Sequence, residues 1–206
     1  MTGMDEIMRI APVIPVLVID DVAHAIPVAQ ALVAGGLRVL EVTLRTPAAL
    51  DVIREMRTVP GAIVGAGTVL NCRDLDTALG AGAAFIVSPG LTERLARAAH
   101  DREVPLLPGI ANAGDIMLGL DMGLDRFKFF PAEASGGLKT LKALAAPFRH
   151  VRFCPTGGIT QASAREWLAE EAVLCVGGSW LAGRGAPDVA AIEAAARQAA
   201  ALPRQA

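Results

Sequence analysis

The feature that most restricts this chain is an alternation of element types. Eight short β-rich runs can be read: Val13 to Ile19, Val39 to Leu44, Ala62 to Thr68, Ala84 to Ser88, Pro105 to Ile110, Arg126 to Phe130, Val151 to Thr156 and Val173 to Val176. Their starts lie 21 to 26 residues apart, the length of one strand plus one crossover helix. Between them lie segments of helical period, such as Val22 to Ala34, Ala48 to Met56, Thr92 to Asp101, Gly137 to Ala146, Ser163 to Glu170 and Pro187 to Ala200. Thr92 followed by Glu93 is a helix start, and Gly35-Gly36 is a helix stop. Parallel strands need such crossovers, and strands covered on both faces read as continuous apolar runs like VIPVLVI and VLCV. Eight units predict an α/β chain closed into a (β/α)8 TIM barrel rather than an open doubly wound sheet. At 206 residues the chain is near the lower limit for that fold, so loops must be short and residues 1–206 are expected to form a single domain.

Composition narrows the function. With 53% hydrophobic and 19% charged residues the chain is too apolar for disorder. Nineteen basic residues against 21 acidic ones, with 4% aromatics and no Tyr, leave neither the charge nor the stacking surface of a nucleic-acid binder. The apolar stretch Ile10 to Ile19 is broken by Pro12 and Pro15 and is far short of the ~20 residues that span a bilayer. The start MTGMDEIMRI lacks a basic n-region and a cleavage site, so the expected location is the cytoplasm. Cys72, Cys154 and Cys175 have no CxxC spacing and are expected to be free thiols. Gly65-Ala66-Gly67 opens like a dinucleotide fingerprint, but Leu70 stands where the third glycine should be, and there is no P-loop. His24, His100 and His150 are scattered away from the strand ends, which disfavours a metal-dependent enzyme.

In a (β/α)8 barrel, chemistry is expected at the carboxyl ends of the strands. The second strand places Glu41, Thr43 and Arg45 on one face by its period of two. A carboxylate there is either catalytic or the neutralised half of an ion pair with Arg45 or another base. The sixth strand sets Lys128 among Phe127, Phe129 and Phe130. Burial would strip the hydration that supports an ammonium and favour the neutral amine that attacks carbonyls; the bland alternative is a lysine that snorkels to solvent. An amine and a carboxylate are together the two parts that imine-based carbon–carbon cleavage requires. Strands seven and eight end in Thr156-Gly157-Gly158 and Gly177-Gly178-Ser179, where backbone N–H groups can converge on a phosphate. Thr68 and Pro89 complete the rim.

Seven segments together resemble a known family: EVTLRT (41–46), GAGTVLN (65–71), SPGLTE (88–93), PLLPGI (105–110), FKFFPAE (127–133), RFCPTGGI (152–159) and VGGSWL (176–181). They are similar to the bacterial 2-keto-3-deoxy-6-phosphogluconate aldolases, many of which also cleave 4-hydroxy-2-oxoglutarate. The resemblance runs from about Pro12 to Leu181. It implies a cytoplasmic, homotrimeric class I aldolase of the Entner-Doudoroff pathway, which splits a phosphorylated 2-keto acid into pyruvate and glyceraldehyde 3-phosphate. It implies no cofactor beyond the covalent lysine imine, and no metal. By the same resemblance Lys128 is the imine lysine, Glu41 the general acid/base and Arg45 the residue that holds the pyruvyl carboxylate. Thr68 meets that end of the substrate, Pro89 and Phe130 line the pocket, and Thr156, Gly157, Gly158, Gly178 and Ser179 meet the distal hydroxyls and phosphate. Asp20-Asp21 stands where relatives can carry basic residues. Competing readings are an aldolase for the C4-epimeric galactonate substrate, a phosphosugar isomerase or epimerase, and a silent phosphometabolite-binding protein.

Overall fold

Apolar runs spaced by crossovers can bury both faces by curling into a ring, and the computed structural model, which describes residues 3–204, shows that ring. The strands are β1 (Val13–Leu17), β2 (Val39–Thr43), β3 (Ile63–Gly67), β4 (Ile86–Ser88), β5 (Leu106–Ile110), β6 (Arg126–Phe129), β7 (Arg152–Phe153) and β8 (Val176–Gly178). All named pairings are parallel, in the order β7-β6-β5-β4-β3-β2-β1-β8. The seam between β7 and β8 is closed by parallel bridges joining Phe153 to Val173 and Thr156 to Gly177. There Leu174 N–H donates to the Phe153 carbonyl at 3.1 Å and Gly177 N–H to the Pro155 carbonyl at 2.8 Å. The architecture is a (β/α)8 barrel.

The helices are α1 (Met4–Arg9), α2 (Ala25–Ala34, entered through a 3-10 turn at Val22–His24), α3 (Ala49–Met56), α4 (Cys72–Ala81), α5 (Glu93–Asp101), α6 (Ala113–Asp121), α7 (Gly137–Ala145), α8 (Ala164–Leu168) and α9 (Val189–Ala200). None of them is long and apolar enough to cross a membrane. Their starts are local chemistry: Asn71, Thr92, Asn112 and Asp188 each accept a hydrogen bond from the backbone N–H three residues on. α4 and α6 share one device. Asp74 reaches back to Leu70 N–H at 3.0 Å, as Asp115 does to Ala111 N–H at 2.9 Å, which locks the turns that follow β3 and β5.

Period-two alternation sorts side chains between two cores. One face of each strand packs against the helices, as Leu40, Val42, Phe127 and Phe129 do. The other points inward, where Ile14, Val39, Phe85, Val87, Leu107, Cys154 and Cys175 form a separate cluster. That cluster is capped by Ile7 and Met8 of α1, which forms the floor of the barrel. Burial, with the Cys154 thiol beside it, pushes the Cys175 thiol well above its ordinary range. A salt bridge of 2.6 Å between Asp5 Oδ1 and Arg126 Nε ties α1 to β6.

Three differences from the sequence reading have physical causes. α1 is only six residues long, too short to show a period. β7 is confined to Arg152–Phe153 because beyond it the chain keeps only single bonds from Cys154 and Thr156 N–H to the Phe127 and Phe129 carbonyls of β6, without a regular ladder. β8 is displaced to Val176–Gly178, since Gly177 and Gly178 pair with Ile14 and Pro15 while Val173 only bridges to Phe153. A side chain at Gly177 would stand 2.2 Å from Thr156 Oγ1, so the glycine there is what lets the strand pass.

The floor carries a pH-dependent prediction. The Arg9 hydrogen bond, helped by Arg126, holds the Asp5 carboxyl below the usual carboxylate range. A depressed folded value means stability that is present above about pH 3.9, the ordinary value, and lost as pH falls through the folded value. Asp5→Asn should therefore cost roughly 0.5–1 kcal/mol at pH 7, the range of partly exposed pairs. Urea unfolding should show that gap closing as the solution is acidified below about pH 4.

Candidate active site

Among the described residues the buried polar or charged side chains are Glu41, Thr43, Ser88, Lys128 and Thr156. Three of them have backbone partners: Thr43 Oγ1 donates to the Leu17 carbonyl at 2.9 Å, Ser88 Oγ to the Gly90 carbonyl at 2.8 Å and Thr156 Oγ1 to the Cys154 carbonyl at 3.4 Å. Glu41 and Lys128 instead find each other. Lys128 Nζ lies 3.0 Å from Glu41 Oε1 and 3.4 Å from Oε2, with side chains 6% and 4% exposed. Residues 87 positions apart meet because β2 and β6 lie on opposite sides of the ring and both side chains point inward.

The environment of Lys128 differs from that expected. Phe127 and Phe129 do not surround it, because adjacent strand residues face opposite ways. They pack outward, Phe127 over Gly119 of α6 and Phe129 against Trp167 of α8 with ring centroids 6.3 Å apart. Only the Phe130 ring stays near, 5.4 Å from Lys128 Nζ, within reach for a cation–π contact. Nor does Lys128 snorkel. Glu41 takes Lys128 as its partner, while Arg45 stands exposed in the turn after β2.

Two glycines explain how a carboxylate fits inside the barrel. A Cβ on Gly67 would stand 2.2 Å from Glu41 Oε1, and one on Gly65 would strike the Phe85 ring at 2.4 Å. The GAG segment thus clears room for side chains, which accounts for its incomplete likeness to a nucleotide-binding turn. Thr68, the next residue, has φ of 60°, a left-handed conformation that β-branched residues rarely adopt and that concentrates at functional sites. It is held from both sides, by Leu44 N–H on the Gly67 carbonyl at 2.8 Å and by Val69 N–H on the Val87 carbonyl at 3.2 Å.

The remaining candidates lie around the same mouth. The Pro89 carbonyl presses on Gly109, the strand neighbour of Lys128, closely enough that a Cβ there would stand 2.1 Å from its oxygen. Thr156 is buried beside Gly177. Gly157 and Gly158 follow with φ of 103° and 83°, and Gly157 lies against Pro131 and Phe130. Gly178 lies under the Trp180 ring, with Ser179 exposed next to it. Among the described residues no three His, Cys, Asp or Glu side chains gather where they could hold a metal ion. Gly67 entered the sequence reading only as part of the incomplete GxG pattern; it is the last residue of β3, in register with Thr43, and its closeness to Glu41 exists only in the folded chain.

Comparison with known proteins agrees along the whole chain. The family model for KDPG and KHG aldolase matches residues 4–195. The 2-dehydro-3-deoxy-phosphogluconate aldolase of Zymomonas mobilis is 62% identical over 206 residues, covering 100% of this chain and 99% of that one. The solved structure of the Zymomonas mobilis ZM4 2-keto-3-deoxy-6-phosphogluconate aldolase with 3-phosphoglycerate superposes with a TM-score of 0.96, covering 97% and 96% of the two chains. The KDPG aldolase of Legionella pneumophila, with pyruvate captured as a covalent carbinolamine, is 41% identical with a TM-score of 0.90, covering 96% and 98%.

The clearance at Gly67 makes a test of the geometry. Gly67→Ala should push the Glu41 carboxylate off Lys128, so that a structure of the variant shows the Nζ–Oε1 separation lengthened beyond a hydrogen bond. Denaturant unfolding should show a cost of about 1–3 kcal/mol, the range for overpacking.

Proposed function

The chain belongs to the KDPG and KHG aldolase family, and from that premise we propose that it cleaves 2-dehydro-3-deoxy-6-phosphogluconate to pyruvate and D-glyceraldehyde 3-phosphate through an imine on Lys128. It is an enzyme of the carbon–carbon lyase class. The observation that carries the imine reading is the buried contact of 3.0 Å between Lys128 Nζ and Glu41 Oε1. At that distance the ammonium can hand its proton to the carboxylate, which produces an amine and a carboxylic acid together. The carbinolamine captured in the Legionella pneumophila relative supports the same first step.

Lys128 Nζ attacks the C2 carbonyl and the resulting carbinolamine loses water, with Glu41 supplying the proton. The iminium at C2 is an electron sink for the bond that joins the neighbouring C3 to C4. Glu41, now a carboxylate, takes the proton of the C4 hydroxyl. The C4 oxygen becomes the aldehyde of glyceraldehyde 3-phosphate as the C3–C4 bond breaks, and the bonding pair forms an enamine between C2 and C3. Protonation at C3 and attack by water on C2 release pyruvate and restore Lys128. Arg45 and Thr68 hold the pyruvyl carboxylate, and Pro89 and Phe130 line the pocket about the imine. Thr156, Gly157, Gly158, Gly178 and Ser179 receive the distal hydroxyls and phosphate, where glycine turns can present N–H groups to an anion.

The proposal extends to 4-hydroxy-2-oxoglutarate, which the same steps would convert to pyruvate and glyoxylate. It includes a homotrimer in the cytoplasm that works in the Entner-Doudoroff pathway with neither a metal nor a diffusible cofactor.

Incubation with pyruvate and borohydride, followed by intact mass and peptide mapping, should give one reduced adduct on Lys128. No adduct under conditions that label a control aldolase would turn the reading toward an isomerase or a binding protein. Lys128→Ala should lose both adduct and turnover. Glu41→Gln should still bind substrate while kcat falls by roughly 10²–10⁴-fold, the usual contribution of a positioned acid/base. Steady-state kinetics with the gluconate and galactonate epimers should give the higher kcat/KM for gluconate.

A further inference from the structure

Glu133, the acid that ends FKFFPAE, takes no part in the steps above, yet it touches both glycines of the turn after β7 and Trp167 of α8. It lies in the turn after β6, five positions beyond Lys128. Its backbone N–H donates to the Gly157 carbonyl at 3.1 Å, and the N–H of Ala132 donates to the Thr156 carbonyl at 2.8 Å. Its side-chain stem lies against Gly158, where a Cβ would stand 2.6 Å from Glu133 Cγ. Its carboxylate accepts a hydrogen bond of 3.2 Å from Trp167 Nε1. Trp167 is only 2% exposed and its ring also packs on Phe129.

A carboxylate next to a turn that receives an anion repels that anion, so charge does not explain its place. Its partner is a neutral indole N–H, which fixes position and leaves the charge uncompensated. The Gly157-Gly158 turn needs such fixing, because two consecutive glycines at positive φ have many alternative conformations of similar energy. We propose that Glu133, held by Trp167, is a positioning residue that sets the Gly157-Gly158 turn for the phosphate end of the substrate. The inference rests on the reading of that turn as part of the phosphate site.

The test uses the full-length enzyme with two probes: the phosphorylated keto acid in steady-state kinetics, and pyruvate, which has no phosphate, in borohydride trapping. Glu133→Ala should raise KM about tenfold, the scale of one lost charge-assisted hydrogen bond. Its kcat should stay within about twofold and pyruvate trapping should not change. Glu133→Gln keeps the stem and an acceptor for the indole, so its KM should be near native. Trp167→Phe removes only the N–H and the indole's second ring and should raise KM in the same direction; it decides the matter if Glu133→Ala does not fold. Ser179→Asp, which adds a charge at the other glycine turn, should raise KM whatever Glu133 does. An unchanged KM in Ser179→Asp overturns the phosphate site and this inference with it. A raised KM there beside a native KM in Glu133→Ala overturns this inference alone. So does a Glu133→Ala variant that loses pyruvate trapping in step with KM, or a fall of kcat in Glu133→Gln, which would mark proton transfer.

Discussion

A closed barrel interior cannot hold a lysine unless something compensates its charge, and here the compensation comes from one carboxylate on the far side of the ring. The Lys128–Glu41 contact imposes conditions on its neighbours. β2 must have the register that turns Glu41 inward, and β6 the register that turns Lys128 inward. A slip of one residue in either strand would exchange the pair for Leu40 or Val42, or for Phe127 or Phe129. Position 67 must carry no side chain, because the carboxylate occupies that space. Thr68, directly after it, then takes the left-handed turn that carries the chain out toward the rim. Fold and chemistry are specified by the same alternation.

Much of this was legible in the residues. The regular spacing of apolar runs implied a barrel, and inward-facing Glu41 and Lys128 stood out as charges within strands. What the sequence could not supply was partnership across the ring. Glu41 has Arg45 four positions away and Lys128 eighty-seven away, and only closure of the sheet brings the distant one nearer. The phenylalanines beside Lys128 misled for a related reason: neighbours in a strand are on opposite faces, so apolar sequence context is not apolar surroundings. Short elements escaped as well. α1 is too brief to show a period, and the end of β8 is written in glycines, which carry no strand preference.

Thr43 and Ser88 show why burial alone does not identify a site. Both are as deeply buried as Glu41, but each hydroxyl is spent on a backbone carbonyl close by. Glu41 and Lys128 have no such local partner and are satisfied only by one another, an arrangement that a substrate carbonyl can enter and divide. The difference lies in the hydrogen-bond partners, which are visible only once the chain is folded.

β6 also reaches the opposite end of the barrel. Two residues before Lys128, Arg126 grips Asp5 of the floor helix, a contact that spans 121 positions of sequence. On the ribosome, α1 therefore waits for a further 121 residues before this anchor exists. The strand that completes its docking is the one that delivers the lysine. During synthesis, the anchor of the barrel floor and the buried Lys128 become available in the same stretch of a few residues.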